Sequence, residues 1–206
     1  MKFACTGVIL AGGLNTRFAG KDKALAFLGG KRILDYIYAV FTDLFEEIIL
    51  VTNNPLQYIE WDLTIVTDLF PIRSSLTGIH AGLFYASNPY AFFAACDAPF
   101  LKKELIETIL EKIEPDFDAI IPEISVGLEP LCAVYSKNCL KRIEQHLLQD
   151  ELKIQWVFKK DRIKKIPEKL ILEKDPELLS FFNVNSLKEL KKAEALVKRF
   201  NPPISA

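Results

Sequence analysis

The sequence of residues 3–25 is FACTGVILAGGLNTRFAGKDKAL, an apolar run followed at once by glycines and positive charges. The apolar part is short, is interrupted by Thr6 and Gly7, and has no cleavage-like site after it. It therefore predicts a first β-strand rather than a signal peptide. Glycines directly after a strand predict a turn in which backbone N–H groups can approach a bound anion closely.

Beyond this strand, short apolar runs alternate with segments in which apolar residues recur at helical spacing. Strands are predicted over residues 3–10, 47–52, 63–68, 90–97, 118–123 and 130–136. Helices are predicted over residues 33–45, 78–86, 101–113, 140–148 and 186–200. This alternation favours an α/β fold of one domain over residues 1–206, with three α/β/α layers and a mostly parallel, Rossmann-like sheet.

The composition excludes several classes of protein. Half of the 206 residues are apolar, which supplies a sizeable core, and the formal net charge is −1. That balance argues against a protein that coats nucleic acid. No window has the ~20 apolar residues that would span a membrane, so we expect a soluble protein of the cytoplasm with no membrane partner. The four cysteines are scattered, which favours buried thiols in a reducing compartment over disulfides or a zinc site.

In mostly parallel sheets, ligands bind beyond the carboxyl ends of the strands. Glycines or polar residues follow four of the predicted strands. They are Gly12 and Gly13 after the first strand, Thr52 to Asn54 after the second, Asp68 after the third and Asp97 after the run YAFFAAC. We therefore expect these residues to share one edge of the sheet.

The turn after the first strand matches neither of two common phosphate-binding motifs. Its adjacent glycines do not fit the Rossmann fingerprint GxGxxG, and GKD at residues 20–22 does not fit the P-loop, which needs Ser or Thr after the lysine. The turn instead carries Arg17 and Lys23. Two cations beside backbone donors suit a triphosphate, whose negative charge is concentrated. A tight turn with solvated basic residues is the structural alternative.

Five stretches resemble, in order along the chain, motifs of nucleotidyltransferases, and most closely those of the molybdenum cofactor guanylyltransferases. They are LAGGLNTRFAGKDKAL at 10–25, LTGIHAGL at 76–83, CDAPF at 96–100, LEPLCAVYS at 128–136 and FFNVNSLKEL at 181–190. The resemblance implies a nucleotide-binding α/β fold, with the nucleotide in the N-terminal half and the acceptor in the C-terminal half.

The resemblance also implies a reaction. The expected enzyme transfers GMP from GTP to the terminal phosphate of molybdopterin or Mo-molybdopterin, releases pyrophosphate, and uses Mg²⁺ as its cofactor. Other proteins of molybdenum cofactor biosynthesis and molybdoenzyme chaperones are its candidate partners.

Individual residues take roles from the same resemblance. The nucleotide-binding residues would be Leu10, Ala11, Gly12, Gly13, Lys23, Asp68 and Asp97, together with Thr52 or Asn53, between which the sequence does not choose. Among the catalytic residues, Lys23 would contact the phosphates, Arg17 would offset charge on the leaving pyrophosphate, and Asp97 would hold Mg²⁺. Asn183 and Asn185 would face the pterin.

The chain departs from the family pattern at positions that bear on specificity. Ser74-Ser75 stands where Gly-Pro is frequent, Thr77 replaces an alanine, Glu129 a histidine or asparagine, and Leu187 a proline. A cytidylyltransferase acting on the same pterin is therefore an alternative, although its signature usually opens with LAAG. Another small-molecule nucleotidyltransferase and a non-catalytic nucleotide-binding regulator are further alternatives. The intact catalytic residues argue against the regulator.

Some of these residues also have plain structural explanations. Asp97 could cap the turn that leads into the helix beginning near Leu101. Ser186 with Glu189 is typical of a capping box, which would make that part of the last motif structural. Asn183 lies upstream of the box and is the stronger candidate for a ligand contact.

Overall fold

The computed structural model describes residues 3–12, 22–158 and 162–200. The strands in these ranges are β1 (Thr6–Leu10), β2 (Phe27–Leu28), β3 (Lys31–Arg32), β4 (Ile48–Val51), β5 (Thr64–Val66), β6 (Tyr90–Ala95), β7 (Ala119–Ile124), β8 (Gly127–Leu128), β9 (Cys132–Ser136) and β10 (Ile163–Pro167). The helices are α1 (Ile33–Leu44), α2 (Ser75–Tyr85), α3 (Lys103–Leu110), α4 (Leu140–Leu148), α5 (Ile154–Val157), α6 (Glu168–Lys174) and α7 (Leu187–Phe200). Within these ranges, no helix is both long and apolar enough to cross a bilayer.

Eight of the strands form one sheet, in the order β10-β7-β9-β6-β1-β4-β5, with β8 paired to β7. β1 pairs in parallel with β4 and β6, β4 with β5, and β10 with β7. β9 pairs antiparallel with both β6 and β7, so it reverses direction within the sheet. The strands β1, β4, β5, β6, β7 and β10 consequently end at one side, which we call the carboxyl edge. The prediction of a mostly parallel sheet is confirmed.

Helices cover both faces of this sheet. One core cluster includes residues of α1, α3, α6 and α7, and a second includes residues of α2, α4 and α5. Successive strand residues alternate between the two clusters: Phe92 lies in the first and Phe93 in the second, and Ile120 and Ile121 divide in the same way. Because these strands are buried on both faces, their sequences are continuously apolar. The three-layer prediction is confirmed.

The observed elements differ from the predicted ones mainly at their ends. α2 begins at Ser75 rather than at residue 78, because the Ser74 hydroxyl accepts a hydrogen bond from the Thr77 N–H and caps the helix. The prediction missed β8, β10, α5, α6 and the β2–β3 hairpin. β10 lies at the end of the sheet and contains Lys164 and Lys165. Charged side chains on an edge strand disfavour its pairing with another chain. They also interrupt the apolar pattern from which a strand is predicted.

At Gly82, α2 lies in direct contact with the sheet. A Cβ at this position would stand 2.7 Å from side-chain carbons of both Phe93 and Val8, well inside van der Waals contact. Gly82 therefore permits α2 to lie close against the sheet. This contact places the first turn of α2, about two turns before Gly82, at the carboxyl edge.

Gly82→Ala is expected to lower the free energy of unfolding by about 1–3 kcal/mol, because the added methyl group has to displace two core side chains. Gly12→Ala is the matched control, since a Cβ there would meet no atom of the described residues within 4 Å. Its stability should stay within about 0.5 kcal/mol of the wild type. Urea unfolding measures both, and equal stability of the two variants would contradict a close approach at Gly82.

Candidate active site

A cavity of about 430 Å³ opens at the carboxyl edge of the sheet. Its lining residues are Leu10, Gly12, Lys23, Val51, Asp68, Arg73, Ser74, Ser75, Gly78, Ala95, Cys96, Asp97, Leu131, Asn183 and Asn185. Seven of them are residues that the sequence predicted for the site: Leu10, Gly12, Lys23, Asp68, Asp97, Asn183 and Asn185. The position and the size are those of a pocket for a small-molecule ligand in an α/β fold.

Backbone pairing continues past the ends of the strands. The Ala11 N–H donates to the carbonyl of Val51 at 2.8 Å, and the Cys96 N–H donates to the carbonyl of Leu10 at 3.0 Å. These bonds keep the ends of β1, β4 and β6 side by side, so the residues after each strand are neighbours at the cavity. Ala11 itself is buried and is not among the lining residues. Gly13 and Arg17 lie outside the described residues.

Lys23 connects three parts of the chain that are distant in sequence. Its Nζ lies 2.6 Å from Oδ2 of Asp97 and donates to Oδ1 of Asn185 at 2.7 Å. The side chains of Lys23 and Asp97 are only 15 % and 11 % exposed. Solvent and salt therefore screen this ion pair less than a surface pair.

One oxygen of Asp97 has no hydrogen-bond partner among the described residues. Oδ2 pairs with Lys23, whereas Oδ1 is buried and accepts no hydrogen bond from this part of the chain. A buried oxygen without a donor is costly, and a cation that enters with a ligand would satisfy it. α3 begins after Lys102 and has no side-chain cap, so the alternative in which Asp97 caps that helix is not supported.

The donor set around Asp97 fits Mg²⁺ better than a softer metal. Mg²⁺ prefers oxygen ligands and keeps several waters, so one carboxylate completed by phosphate oxygens and water suits it. Among the residues that the structure describes, no group of three or more His, Cys, Asp or Glu could hold a metal ion. Burial, and then the charge of Asp97, raise the pKa of the Cys96 thiol well above its usual value. Cys96 therefore stays protonated at neutral pH and is a poor ligand or nucleophile.

Neither Thr52 nor Asn53 is among the lining residues of the cavity, but Asn53 contacts one of them. Nδ2 of Asn53 donates to Oδ2 of Asp68 at 2.8 Å, and Asp68 lines the cavity. Thr52 is buried, and its hydroxyl accepts a hydrogen bond from the N–H of Asn54 at 3.2 Å. The geometry gives the Thr52 hydroxyl a role within the loop and lets Asn53 orient a carboxylate of the cavity.

The segment before α7 crosses the carboxyl edge next to Asp97. The Val184 N–H donates to the Asp97 carbonyl at 2.8 Å. The Asn185 N–H donates to Oε2 of Glu189 at 2.8 Å, and the Ser186 hydroxyl accepts from the Glu189 N–H at 3.3 Å. The predicted capping box is thus confirmed. The Asn185 N–H also lowers the pKa of Glu189, which keeps that carboxylate charged and fixes Asn185 at the start of the helix.

Eight of the lining residues were not predicted for the site, and among them Arg73 carries a charge and Leu131 comes from the C-terminal half of the chain. Arg73 directly precedes Ser74, the N-cap of α2, so it stands at the positive end of that helix dipole. Arg73 could have been predicted from the sequence, because it lies between Asp68 and the start of a helix at the predicted edge. The N-terminal end of such a helix attracts anions. Arg73 adds positive charge to the cavity beyond that of Lys23.

Comparison with known proteins agrees with this geometry. The family model of the MobA-like NTP transferase domain matches residues 7–163. A protein of Desulfosudis oleivorans named molybdenum cofactor guanylyltransferase is 47 % identical over 195 residues, which cover 95 % of this chain and 96 % of that protein. The chain belongs to the MobA-like NTP transferases. The predicted resemblance to nucleotidyltransferases is confirmed.

Solved structures share the MobA-like fold. Molybdopterin-guanine dinucleotide biosynthesis protein A from Archaeoglobus fulgidus superposes with a TM-score of 0.82 at 28 % identity, covering 94 % of this chain and 99 % of that one. The 2-C-methyl-D-erythritol 4-phosphate cytidylyltransferase from Thermus thermophilus gives a TM-score of 0.67 at 17 % identity, covering 96 % of this chain and 100 % of that one. At the lower identity, the likeness concerns the fold alone.

Removal of the Lys23 amine should show how much stability the protein loses when the Asp97 carboxylate no longer has this partner. Lys23→Met is expected to lower the free energy of unfolding at pH 7 by about 1–3 kcal/mol, because the mostly buried Asp97 carboxylate loses this partner. The double variant Lys23→Met/Asp97→Asn should recover most of that loss. Urea unfolding of the wild type, the two single variants and the double variant measures the coupling. A double variant no more stable than Lys23→Met would contradict an energetically coupled pair.

Proposed function

We propose that this protein transfers GMP from GTP to the terminal phosphate of molybdopterin or Mo-molybdopterin and releases pyrophosphate. The observation that carries the proposal is the meeting of Lys23 and Asp97 in a cavity of substrate size at the carboxyl edge. The names of two relatives support it: the Desulfosudis protein is called a guanylyltransferase, and the Archaeoglobus protein is named for molybdopterin-guanine dinucleotide biosynthesis.

The proposed step is an in-line displacement at the α-phosphorus of GTP. An oxygen of the acceptor's terminal phosphate bonds to the α-phosphorus. The bond from that phosphorus to the oxygen bridging to the β-phosphate breaks, and pyrophosphate leaves with the electron pair. A phosphate monoester is mostly dianionic at pH 7, since its second pKa is about 6, so the attack needs no general base. The protein therefore acts through positioning and charge.

The cavity residues divide between the two substrates. Lys23 would contact the phosphates and Arg17 would offset charge on the leaving pyrophosphate, while Asp68 would bind the nucleoside part. Asp97 would hold Mg²⁺ through Oδ1, which has no partner among the described residues, and that ion, when bound, would offset phosphate charge. Asn183 would contact the pterin, because it lines the cavity and belongs to the C-terminal half of the chain, in which the acceptor is expected to bind.

We place this reaction in the cytoplasm. The four cysteines are all buried free thiols, which is typical of a reducing compartment. The product would pass to other proteins of molybdenum cofactor biosynthesis or to molybdoenzyme chaperones.

Purified protein with Mg²⁺, GTP and molybdopterin should form the guanine dinucleotide and pyrophosphate, separable by liquid chromatography, and CTP should react at less than about a tenth of the rate.

Asp97→Asn should lower turnover at least about a hundredfold, as expected when a group that stabilises developing charge is lost. Asp116→Asn is the control, because this exposed carboxylate precedes β7, far from the carboxyl edge. Preference for CTP would identify a cytidylyltransferase. GTP binding without turnover would favour a regulator.

The roles of the two residues after β4 can be separated by kinetics. Asn53→Ala should raise KM for GTP about 3- to 10-fold, the equivalent of one hydrogen bond, because Asp68 loses the donor that orients it. Thr52→Val keeps the volume of Thr52 and should change KM less than about twofold while lowering the melting temperature. The reverse order of effects on KM would assign the nucleotide contact to Thr52.

A further inference from the structure

Two hydrogen bonds from described residues hold the carboxylate of Asp22, the residue before Lys23. The Tyr58 hydroxyl donates to Oδ2 at 2.6 Å, and the Ala24 N–H donates to Oδ1 at 3.0 Å. Tyr58 is completely buried. It belongs to the segment after β4, whereas Asp22 belongs to the segment after β1. A contact across 36 positions of sequence therefore fixes the backbone immediately next to Lys23.

The far side of this turn is fixed as well. The Ala24 carbonyl accepts a hydrogen bond from the Leu34 N–H at 2.9 Å, and the Ala26 carbonyl accepts one from the Ile33 N–H at 3.0 Å. Both donors are the first residues of α1. Residues 24–26 are thus bonded to a helix, while Asp22 is bonded to Tyr58, and Lys23 lies between the two anchors.

Tyr58 keeps its own position without help from Lys23. It ends the 3-10 turn Pro55–Tyr58, and its ring packs against Trp61 at 6.0 Å between centroids. The indole N–H of Trp61 donates to Oδ1 of Asp35 in α1 at 3.1 Å. Burial raises the pKa of the Tyr58 hydroxyl above its usual value, so it is a proton donor at every physiological pH. Tyr58 is therefore a rigid donor aimed at Asp22.

We propose that Asp22 and Tyr58 form a positioning pair that holds the Lys23 ammonium in register with Asp97 and Asn185. A lysine side chain has four rotatable bonds, so its head group reaches a fixed place only if its backbone is fixed. The kinetic part of this inference rests on the proposed function, in which displacement of a phosphate-binding cation by about 1 Å has a large effect on rate. Neither residue touches the substrates; both act through Lys23.

Tyr58→Phe tests the pair, since it removes the hydroxyl and keeps the ring. Tyr36→Phe is the matched control, because the Tyr36 hydroxyl also makes one 2.7 Å hydrogen bond, to the carbonyl of Leu28, away from Lys23. Tyr58→Phe should lower kcat for GMP transfer about tenfold with KM for GTP changed less than threefold, and Tyr36→Phe should change neither. Equal kinetic losses in the two variants would overturn the proposal.

The background of Lys23→Ala separates positioning from general stability. There, Tyr58→Phe should lower the residual kcat less than twofold, because the group that it positions is gone. A tenfold loss in that background as well would show that Tyr58 acts independently of Lys23, and would overturn the proposal.

A readout without turnover makes the test independent of the reaction. Reductive methylation of the free protein, followed by peptide mass spectrometry, should modify Lys23 several-fold faster in Tyr58→Phe than in the wild type or Tyr36→Phe, with the more exposed Lys103 as internal reference. Asp22→Ala removes the same hydrogen bond from its other partner and should give the same acceleration. Unchanged Lys23 reactivity in both variants would overturn the proposal. Accelerated methylation in a protein that transfers no GMP would support the pair and refute the proposed function.

Discussion

The candidate site depends on the ion pair between Lys23 and Asp97, whose atoms come within 2.6 Å. Asp97 is placed by the sheet, because it follows β6 at the carboxyl edge. Asn185, the second partner of Lys23, is placed by the capping box that starts α7. The sheet, the segment around Lys23 and the start of the C-terminal helix are therefore held to a common point by one ammonium group. Fixed positions of this kind are what a preorganised anion site requires.

The reversal of β9 explains why the C-terminal half of the chain contributes to the same cavity. As β9 runs antiparallel to β6 and β7, its first residues lie at the carboxyl edge, and Leu131 just before it lines the cavity. Glu129 is on the same turn: its N–H donates to the Pro122 carbonyl at 2.9 Å, and its carbonyl accepts from the Cys132 N–H at 3.1 Å. Burial raises the pKa of the Glu129 carboxyl. A fully parallel arrangement would have placed this turn at the opposite edge.

Local patterns in the sequence predicted the parts of the fold that depend on local causes. The run YAFFAAC is apolar on both faces of a strand, so it predicted the buried strand that ends before Asp97. The capping box at Ser186 was predictable because its two residues are three apart. The Asp22–Tyr58 bond was not, since it joins a turn to a 3-10 element through side chains with no shared pattern. β10 was missed for a related reason: it is a strand because it pairs with β7, whereas two of its five residues are charged and only Ile166 is buried.

The same ion pair constrains how a nucleotide can enter under the proposed function. A triphosphate attracts the Lys23 ammonium, and any withdrawal from Asp97 leaves a carboxylate that is only 11 % exposed without its counter-charge. Removing one partner of a buried pair costs about 3–5 kcal/mol when burial is complete, and somewhat less at a cavity wall. Under the proposed function, a triphosphate bound together with a divalent cation would avoid this cost, because Asp97 would keep a positive neighbour while Lys23 contacts the phosphates. A free triphosphate would not. The charge balance of the cavity would then couple nucleotide and metal binding through a carboxylate whose Oδ1 has no partner in the described part of the chain.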